Sequence, residues 1–263
     1  MQLYKANWAI SLSALLLLTG CVESSGSGSS ETRTGQGGST SRFAIVDQHL
    51  YALRGDTYKG NNYNAAELQM FDLMDPAQPI PVGSVSMDFD VETIFAYKTY
   101  LFIGGRSGMY IYDNADPANP QRVSQFVHAR GCDPVVVQGD FAYVTLNGVG
   151  TCGGARSVLD VVDISNVAQT KLLKTVPMQA PHGLAVAADR LYVCDGQAGL
   201  KTFDIAVPAE PMLLGALDQV NCNDLIHSDG RVIATGDKGV FQYDMRQDPP
   251  LKLSELLLPA AAK

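Results

Sequence analysis

One pattern occurs five times along the chain, and this repetition restricts the fold more than any other feature. Each copy centres on an aspartate that ends an apolar run, as in "LQMFDLMDPAQP", "MYIYDNADPANP" and "LKTFDIAVPAEP". The recurring aspartates are Asp72, Asp113, Asp163, Asp204 and Asp244, which lie 41, 50, 41 and 40 residues apart. A period of this length indicates a repeat architecture in which each unit packs against its neighbours.

Each unit contains four short runs rich in β-branched, leucine and aromatic residues. In the fourth unit they are "GLAVA", "RLYVC", "LKTFDI" and "MLLGAL", separated by Gly, Asp and Pro. Such runs between turn residues predict β-strands. A four-stranded sheet of this kind needs neighbours to bury its faces, so the sequence predicts an all-β fold, a five-bladed β-propeller of four-stranded antiparallel blades.

The recurring aspartates come just before Pro-containing turns, as Asp113 does before "ADPANP". An aspartate in this position can accept hydrogen bonds from backbone N–H groups of the turn. We therefore predict a structural role for all five.

Several of these motifs resemble a known family. "LDVVDIS" at residues 159–165, the "DPANP" turn and "GLKTFD" are similar to the LVIVD-repeat β-propeller proteins, often secreted or lipid-anchored in bacteria. The resemblance extends over residues 43–253, although Val167 and Thr170 stand where prolines are usual. It implies a propeller, but it implies no settled activity and supplies no catalytic residues.

The N-terminus has the features of a secretory signal. Lys5 precedes an apolar run at residues 8–18, which is shorter than the roughly 20 residues needed to span a bilayer. The following "LTGC" resembles the bacterial lipobox, which predicts a signal peptide at residues 1–20 and acyl chains on Cys21. The alternative is an ordinary cleaved signal with an incidental cysteine.

The residues after Cys21 predict where the lipoprotein resides and where the propeller begins. Val22 stands where an aspartate would signal inner-membrane retention, which favours the outer membrane. Residues 21–41 are almost entirely small or polar, which predicts a flexible linker between anchor and propeller. We assign the propeller to residues 42–255 and a C-terminal tail to residues 256–263.

The charge balance argues against a nucleic-acid partner. The chain has 27 acidic and 19 basic side chains, a net charge of −8, and no basic run. Proteins that bind phosphate backbones need the opposite balance.

Four cysteines follow Cys21, an even number that predicts two disulfides in an oxidising compartment. Three pairings are open from the sequence, and the alternative is a metal site, although no Cys-x-x-Cys spacing is present. From their positions in the repeats we predict Cys132–Cys152 within the third blade and Cys194–Cys222 between the fourth and fifth.

Loop length points to one face of the disc as the binding surface. With the strands of a blade lettered A to D from the centre outwards, the D–A and B–C loops lie on one face. The B–C loops of the first and third units are enlarged, at residues 54–67 and 147–157. Irregular loops on a rigid scaffold are where binding usually occurs.

Polar residues recur where strand A begins, at the predicted channel mouth. They are Ser41, Glu92, Asp133, His182 and Asn223. Carboxylate and amide oxygens there could bind Ca²⁺ or another divalent cation, or the hydroxyls of a sugar. The alternative is that these side chains only solvate the strand ends, and the sequence identifies no cofactor.

The sequence contains no recognisable nucleophile–base motif, and its one G-x-G-x-x-G, at Gly148, Gly150 and Gly153, leads into a strand rather than a helix. We therefore predict a non-catalytic binding or scaffold module for an envelope protein or glycan, of undetermined oligomeric state. The alternative is a carbohydrate- or metal-dependent hydrolase or lyase at the channel mouth. Asp133 and Glu92 would be its acid and base, and His182 a ligand or proton carrier.

Overall fold

A computed structural model describes residues 38–55, 57–59, 62–87, 91–128, 134–149 and 156–258. These residues form five four-stranded antiparallel sheets and one small hairpin, with strands in sequence order across each sheet. The predicted all-β, five-bladed propeller is confirmed. None of the described residues forms a helix long and apolar enough to cross a membrane.

The first three blades contain fourteen strands, two of them in a hairpin within a loop. Blade 1 comprises β1 (Phe43–Val46), β2 (His49–Arg54), β5 (Glu67–Asp72) and β6 (Ile80–Ser86). Its B–C loop carries the hairpin β3 (Thr57–Lys59) and β4 (Asn62–Asn64). Blade 2 comprises β7 (Val91–Tyr97), β8 (Tyr100–Gly105), β9 (Gly108–Asp113) and β10 (Gln121–Val127). Blade 3 comprises β11 (Val135–Gln138), β12 (Phe141–Leu146), β13 (Val158–Asp163) and β14 (Lys171–Pro177).

The last two blades follow the same plan. Blade 4 comprises β15 (Leu184–Ala187), β16 (Arg190–Cys194), β17 (Leu200–Asp204) and β18 (Met212–Leu217). Blade 5 comprises β19 (Asp224–Ser228), β20 (Arg231–Gly236), β21 (Gly239–Asp244) and β22 (Leu251–Leu257). The last strand therefore runs two residues past the predicted propeller boundary at residue 255.

The five A strands surround a central channel. β7 packs against both β1 and β11, and β15 packs against both β11 and β19. All five A strands contribute residues to the lining of the channel cavity. The cores lie between blades, because side chains that alternate across a sheet present apolar groups to the sheet on each side.

The recurring aspartates hold the C–D turns. In every blade, the carboxylate oxygen Oδ1 accepts the backbone N–H of the residue two positions later, at 2.7–3.0 Å. The structural role predicted for these aspartates is confirmed.

The A–B turns are also uniform. Each contains two residues, and the first has a left-handed backbone with φ between 48° and 60°. These residues are Asp47, Lys98, Gly139, Ala188 and Asp229. We call the side of the disc formed by the A–B and C–D turns the uniform face, and the opposite side, formed by the D–A and B–C loops, the variable face.

A register shift occurs between strands C and D in all five blades. Such bulges increase local twist and help to make exposed edge strands poor templates for pairing with other chains. The outermost strands need this protection because they carry exposed apolar side chains, among them Ile80, Met212 and Leu256.

Candidate functional site at the variable face

Four of the five polar residues predicted at the channel mouth lie within the described residues, and each has a hydrogen-bonding partner in the protein. Oε1 of Glu92 accepts a hydrogen bond from Nε of Arg106 at 3.2 Å. The side-chain amide of Asn223 donates to Oδ1 of Asp237 at 3.0 Å, and the hydroxyl of Ser41 lies in a local turn. Asp133, the fifth member of the set, lies outside the described residues.

His182 is held by Asn147. Oδ1 of Asn147 accepts the N–H of Val149 at 2.8 Å, which fixes the amide with Nδ2 towards the imidazole, 3.1 Å from Nε2. An N–H donor needs a ring nitrogen with a free lone pair, so this contact selects the neutral imidazole. Burial lowers the pKa of His182, against the opposing effect of nearby carboxylates on Asp195, Asp237 and Asp224.

A buried carboxylate supports the loop that leads to His182. Asp195 is 0% exposed, and its Oδ1 accepts the N–H groups of Gln179 at 2.9 Å and Ala180 at 2.8 Å. Its Oδ2 accepts a hydrogen bond from Nζ of Lys201, and the two atoms are 2.5 Å apart. The D–A segment of blade 4 is thereby fastened to the B–C loop of the same blade.

A disulfide joins the next pair of blades on this face. Cys194, at the end of β16, bonds to Cys222, just before β19, with a Cα–Cα distance of 5.2 Å. Both residues are fully buried, and Cys222 also forms an isolated β-bridge with Gly196. The predicted Cys194–Cys222 pairing is thus present, whereas Cys132–Cys152 lies outside the described residues.

Residues 38–41, which we call the mouth segment, cross the start of the channel. The N–H of Leu184 in blade 4 donates to Oγ of Ser39 at 2.7 Å. The N–H of Ile94 in blade 2 donates to the carbonyl of Ser41 at 2.9 Å. Ser39 is only 1% exposed, so these residues are packed and do not continue the flexible linker that the sequence predicts up to residue 41.

Asp224, at the start of blade 5, contacts the mouth segment. Its Oδ2 accepts the hydroxyl of Thr40, and its carboxylate lies against Gly38 and Gly183. A Cβ on Gly183 would come within 2.0 Å of Oδ1, so only glycine permits this approach. Burial raises the pKa of Asp224, and the Thr40 hydroxyl opposes that change.

The channel beneath the mouth is mainly apolar. Its cavity has a volume of about 180 Å³ and includes Phe43, Phe95, Ala185 and Ile226 in its lining. Among the described residues of the lining, His227 is the one with a titratable side chain, and its ring stacks on Tyr192 with centroids 5.7 Å apart. The polar side chains therefore lie at the mouth of the channel and in the loops above it.

Within the described ranges, no three His, Cys, Asp or Glu side chains are grouped as metal ligands. The arrangement of His182, Asn147 and Asp195 instead stabilises loops. Each of these groups has a hydrogen-bonded partner within the protein.

The sequence reasoning missed Asn147, Asp195 and Lys201. One signal was available, because Lys201 places a charged residue between the apolar Leu200 and Phe203 of a C strand. A charge inside a blade needs a nearby partner, and Asp195 in the preceding loop was a candidate.

Comparison with known families identifies the repeat. The profile of the LVIVD repeat matches residues 129–176 and 182–219. No curated protein sequence matches the chain.

Solved propeller structures resemble the fold at low sequence identity. The periplasmic gluconolactonase of Pseudomonas aeruginosa has a TM-score of 0.62 at 12% identity. A protein of unknown function from Desulfotomaculum acetoxidans has 0.60 at 10%, and a protein from Lactobacillus plantarum has 0.60 at 14%. Each alignment covers 80% of this chain and 68% of the other, and at these identities the likeness concerns the fold alone.

Proposed function

We propose that this LVIVD-repeat β-propeller is a lipid-anchored, non-catalytic binding module of the bacterial cell envelope. Its variable face would be the contact surface, and its partner an envelope protein. The anchor on Cys21 and the outer-membrane location are proposed from the sequence, since residues 1–37 lie outside the described ranges.

The proposal rests on one observation, which is that side-chain hydrogen bonds and a disulfide fix the loops of the variable face in blades 3 to 5. Thr145 and Asn147 hold His182 from the neighbouring blade, Asp195 holds the segment before it, and a disulfide joins blades 4 and 5. Loops fixed in this way lose little conformational entropy when a partner binds.

The geometry gives less support to a hydrolase or lyase. Glu92 is paired with Arg106, and the imidazole of His182 faces Asn147. A general acid or base needs an approach to substrate, whereas the mouth segment covers the channel entrance between these residues.

Partner capture tests the contact surface. The lipidated protein, cross-linked in envelope membranes, should retain a specific partner that is lost in Asp218→Arg and Asn223→Arg, which place bulk and charge on the variable face. Asp140→Arg and Asp189→Arg on the uniform face are matched controls, because all four residues are exposed. Equal loss from both faces, or capture of a glycan alone, would contradict a protein contact at the variable face.

The anchor has a separate test. Metabolic labelling with an alkyne fatty acid should mark the wild type and Ser24→Ala, and both should sediment with membranes. Cys21→Ala should carry no label and should be released, because the acyl chains provide the membrane affinity. Membrane retention of unlabelled Cys21→Ala would exclude the lipid as the anchor.

A further inference from the structure

Five blades require five junctions to close a ring, but the described residues form only four hydrophobic cores. The clusters join blade 1 to 2, blade 2 to 3, blade 3 to 4 and blade 4 to 5. Among the described residues, no such cluster joins blade 5 to blade 1.

The burial of the B strands also differs between the interior blades and the end blades. In β8 and β12, which belong to interior blades, all residues after the first are buried, so both faces of these sheets are covered. In β2 and β20, which belong to blades 1 and 5, buried residues alternate with half-buried or exposed ones. Each end blade therefore has one well-covered face and one incompletely covered face.

The incompletely covered faces are apolar enough to form an interface. On blade 1, Ile45, Leu50 and Phe71 occupy paired positions across three strands, and all three are half-buried. On blade 5, Ile226 and Ile233 occupy paired positions and are also half-buried. At the corresponding positions of blade 2, Leu101 and Tyr112 are buried.

The mouth segment links blade 1 to blade 5, at the junction where no hydrophobic core is found among the described residues. It precedes β1 in blade 1 and is hydrogen-bonded to Ile94 in blade 2, Leu184 in blade 4 and Asp224 in blade 5. It thus connects the two ends of the ring through its own polar groups. The glycines on either side of Asp224, Gly38 and Gly183, allow the approach.

We propose that the mouth segment is a latch that closes the ring between blades 5 and 1 in place of a fifth core. Release of the latch lets the two end blades separate and exposes their apolar faces. Closure of the ring by this latch requires no binding partner.

Amide hydrogen exchange of the full-length protein tests the latch. The double variant Ser39→Ala, Thr40→Val removes the acceptor for Leu184 N–H and the donor to Asp224. Because two hydrogen bonds are lost, the amides of blades 1 and 5 should exchange on the order of thirtyfold faster. Blade 3, which has a hydrophobic core on both sides, should change by less than about twofold.

The controls separate loss of the latch from loss of any hydroxyl. Thr40→Ser keeps the donor and should exchange as the wild type does. Ser254→Ala removes an exposed hydroxyl on β22, far along the blade from the mouth, and should also leave exchange unchanged. Unchanged exchange in the double variant, or a uniform rise in all five blades, would overturn the proposal.

A second variant tests the latch independently, in case the double variant does not fold. In Gly183→Ala, the new methyl group would lie 2.0 Å from Oδ1 and 2.8 Å from Cα of Asp224, which displaces the acceptor of Thr40. Gly215→Ala is the matched control, because no atom lies within 4 Å of its added Cβ. Faster exchange in blades 1 and 5 is expected for Gly183→Ala only, and equal behaviour of the two variants would contradict the latch.

Discussion

At the residue scale, the carboxylate of Asp163 stabilises the C–D turn of blade 3. The side-chain hydroxyl and the backbone N–H of Ser165 both lower the pKa of Asp163. Because its pKa is lower in the folded state, the ionised carboxylate contributes stability above the unfolded pKa. This contribution is lost as the pH falls through the folded pKa.

We expect Asp163→Ala to lower the free energy of unfolding by about 1 kcal/mol at pH 7, the usual value of one such hydrogen bond. The difference from wild type should shrink as the pH falls below about 4. Urea denaturation at several pH values measures both effects. Asp163→Asn keeps an acceptor oxygen and should recover most of the stability, and full stability of the alanine variant at pH 7 would refute the role.

His182 should titrate below the ordinary pH range of a histidine. Burial lowers its pKa, so the folded state favours the neutral ring. The associated stability is complete above the unfolded pKa, about 6.5, and is lost as the pH falls through the folded value. The NMR shift of its Cε1–H, assigned with His182→Gln, should have a midpoint below 6.5.

Asn147→Asp serves as the comparison for this titration. A carboxylate in place of the amide would accept a hydrogen bond from a protonated ring and should move the midpoint upwards. A wild-type midpoint at or above 6.5, or no upward movement in the variant, would contradict the described contact.

These residues show which local roles a sequence can predict. The turn aspartates were predictable because their hydrogen bonds reach only two positions along the chain. The contacts of Asn147 with His182 and of Asp195 with Gln179 were not, because they depend on how loops approach one another in three dimensions. The sequence also did not predict the partner of Glu92, which pairs with Arg106 in its own blade.

At the element scale, the strand pattern was well determined by the sequence. The four runs identified in the fourth unit correspond to β15, β16, β17 and β18, because alternating apolar runs and turn residues specify strands locally. The small hairpin β3–β4 was predicted only as an enlarged loop. Its sequence is polar, so no apolar alternation marked its strands.

The disulfide is the strongest link between elements of blades 4 and 5. Replacement of both Cys194 and Cys222 by alanine should lower the free energy of unfolding by about 2–4 kcal/mol, because the bond closes a loop of 28 residues. Thermal unfolding followed by circular dichroism provides the measurement. An unchanged melting temperature would show that the bond adds nothing to the packing of the two blades.

At the scale of the whole molecule, the junctions of the ring differ. Four of them contain a hydrophobic core among the described residues, whereas the mouth segment spans the junction of blades 5 and 1. The sequence could not show this, because blades 1 and 5 carry apolar residues on both faces just as the interior blades do. Whether a face is covered depends on the curvature of the whole ring, which no single repeat encodes. The mouth segment was hidden for a related reason, since its small polar residues have the composition of a linker.

Amide hydrogen exchange of the unmodified protein is the most direct test of this account. We predict that strands β8, β12 and β16 of the interior blades exchange at least about tenfold more slowly than β2 and β20 of the end blades. The mouth segment and the N–H of Leu184 should show protection in the same experiment. Equal protection in all five blades would mean that a fifth core closes the ring, and would contradict closure by a latch.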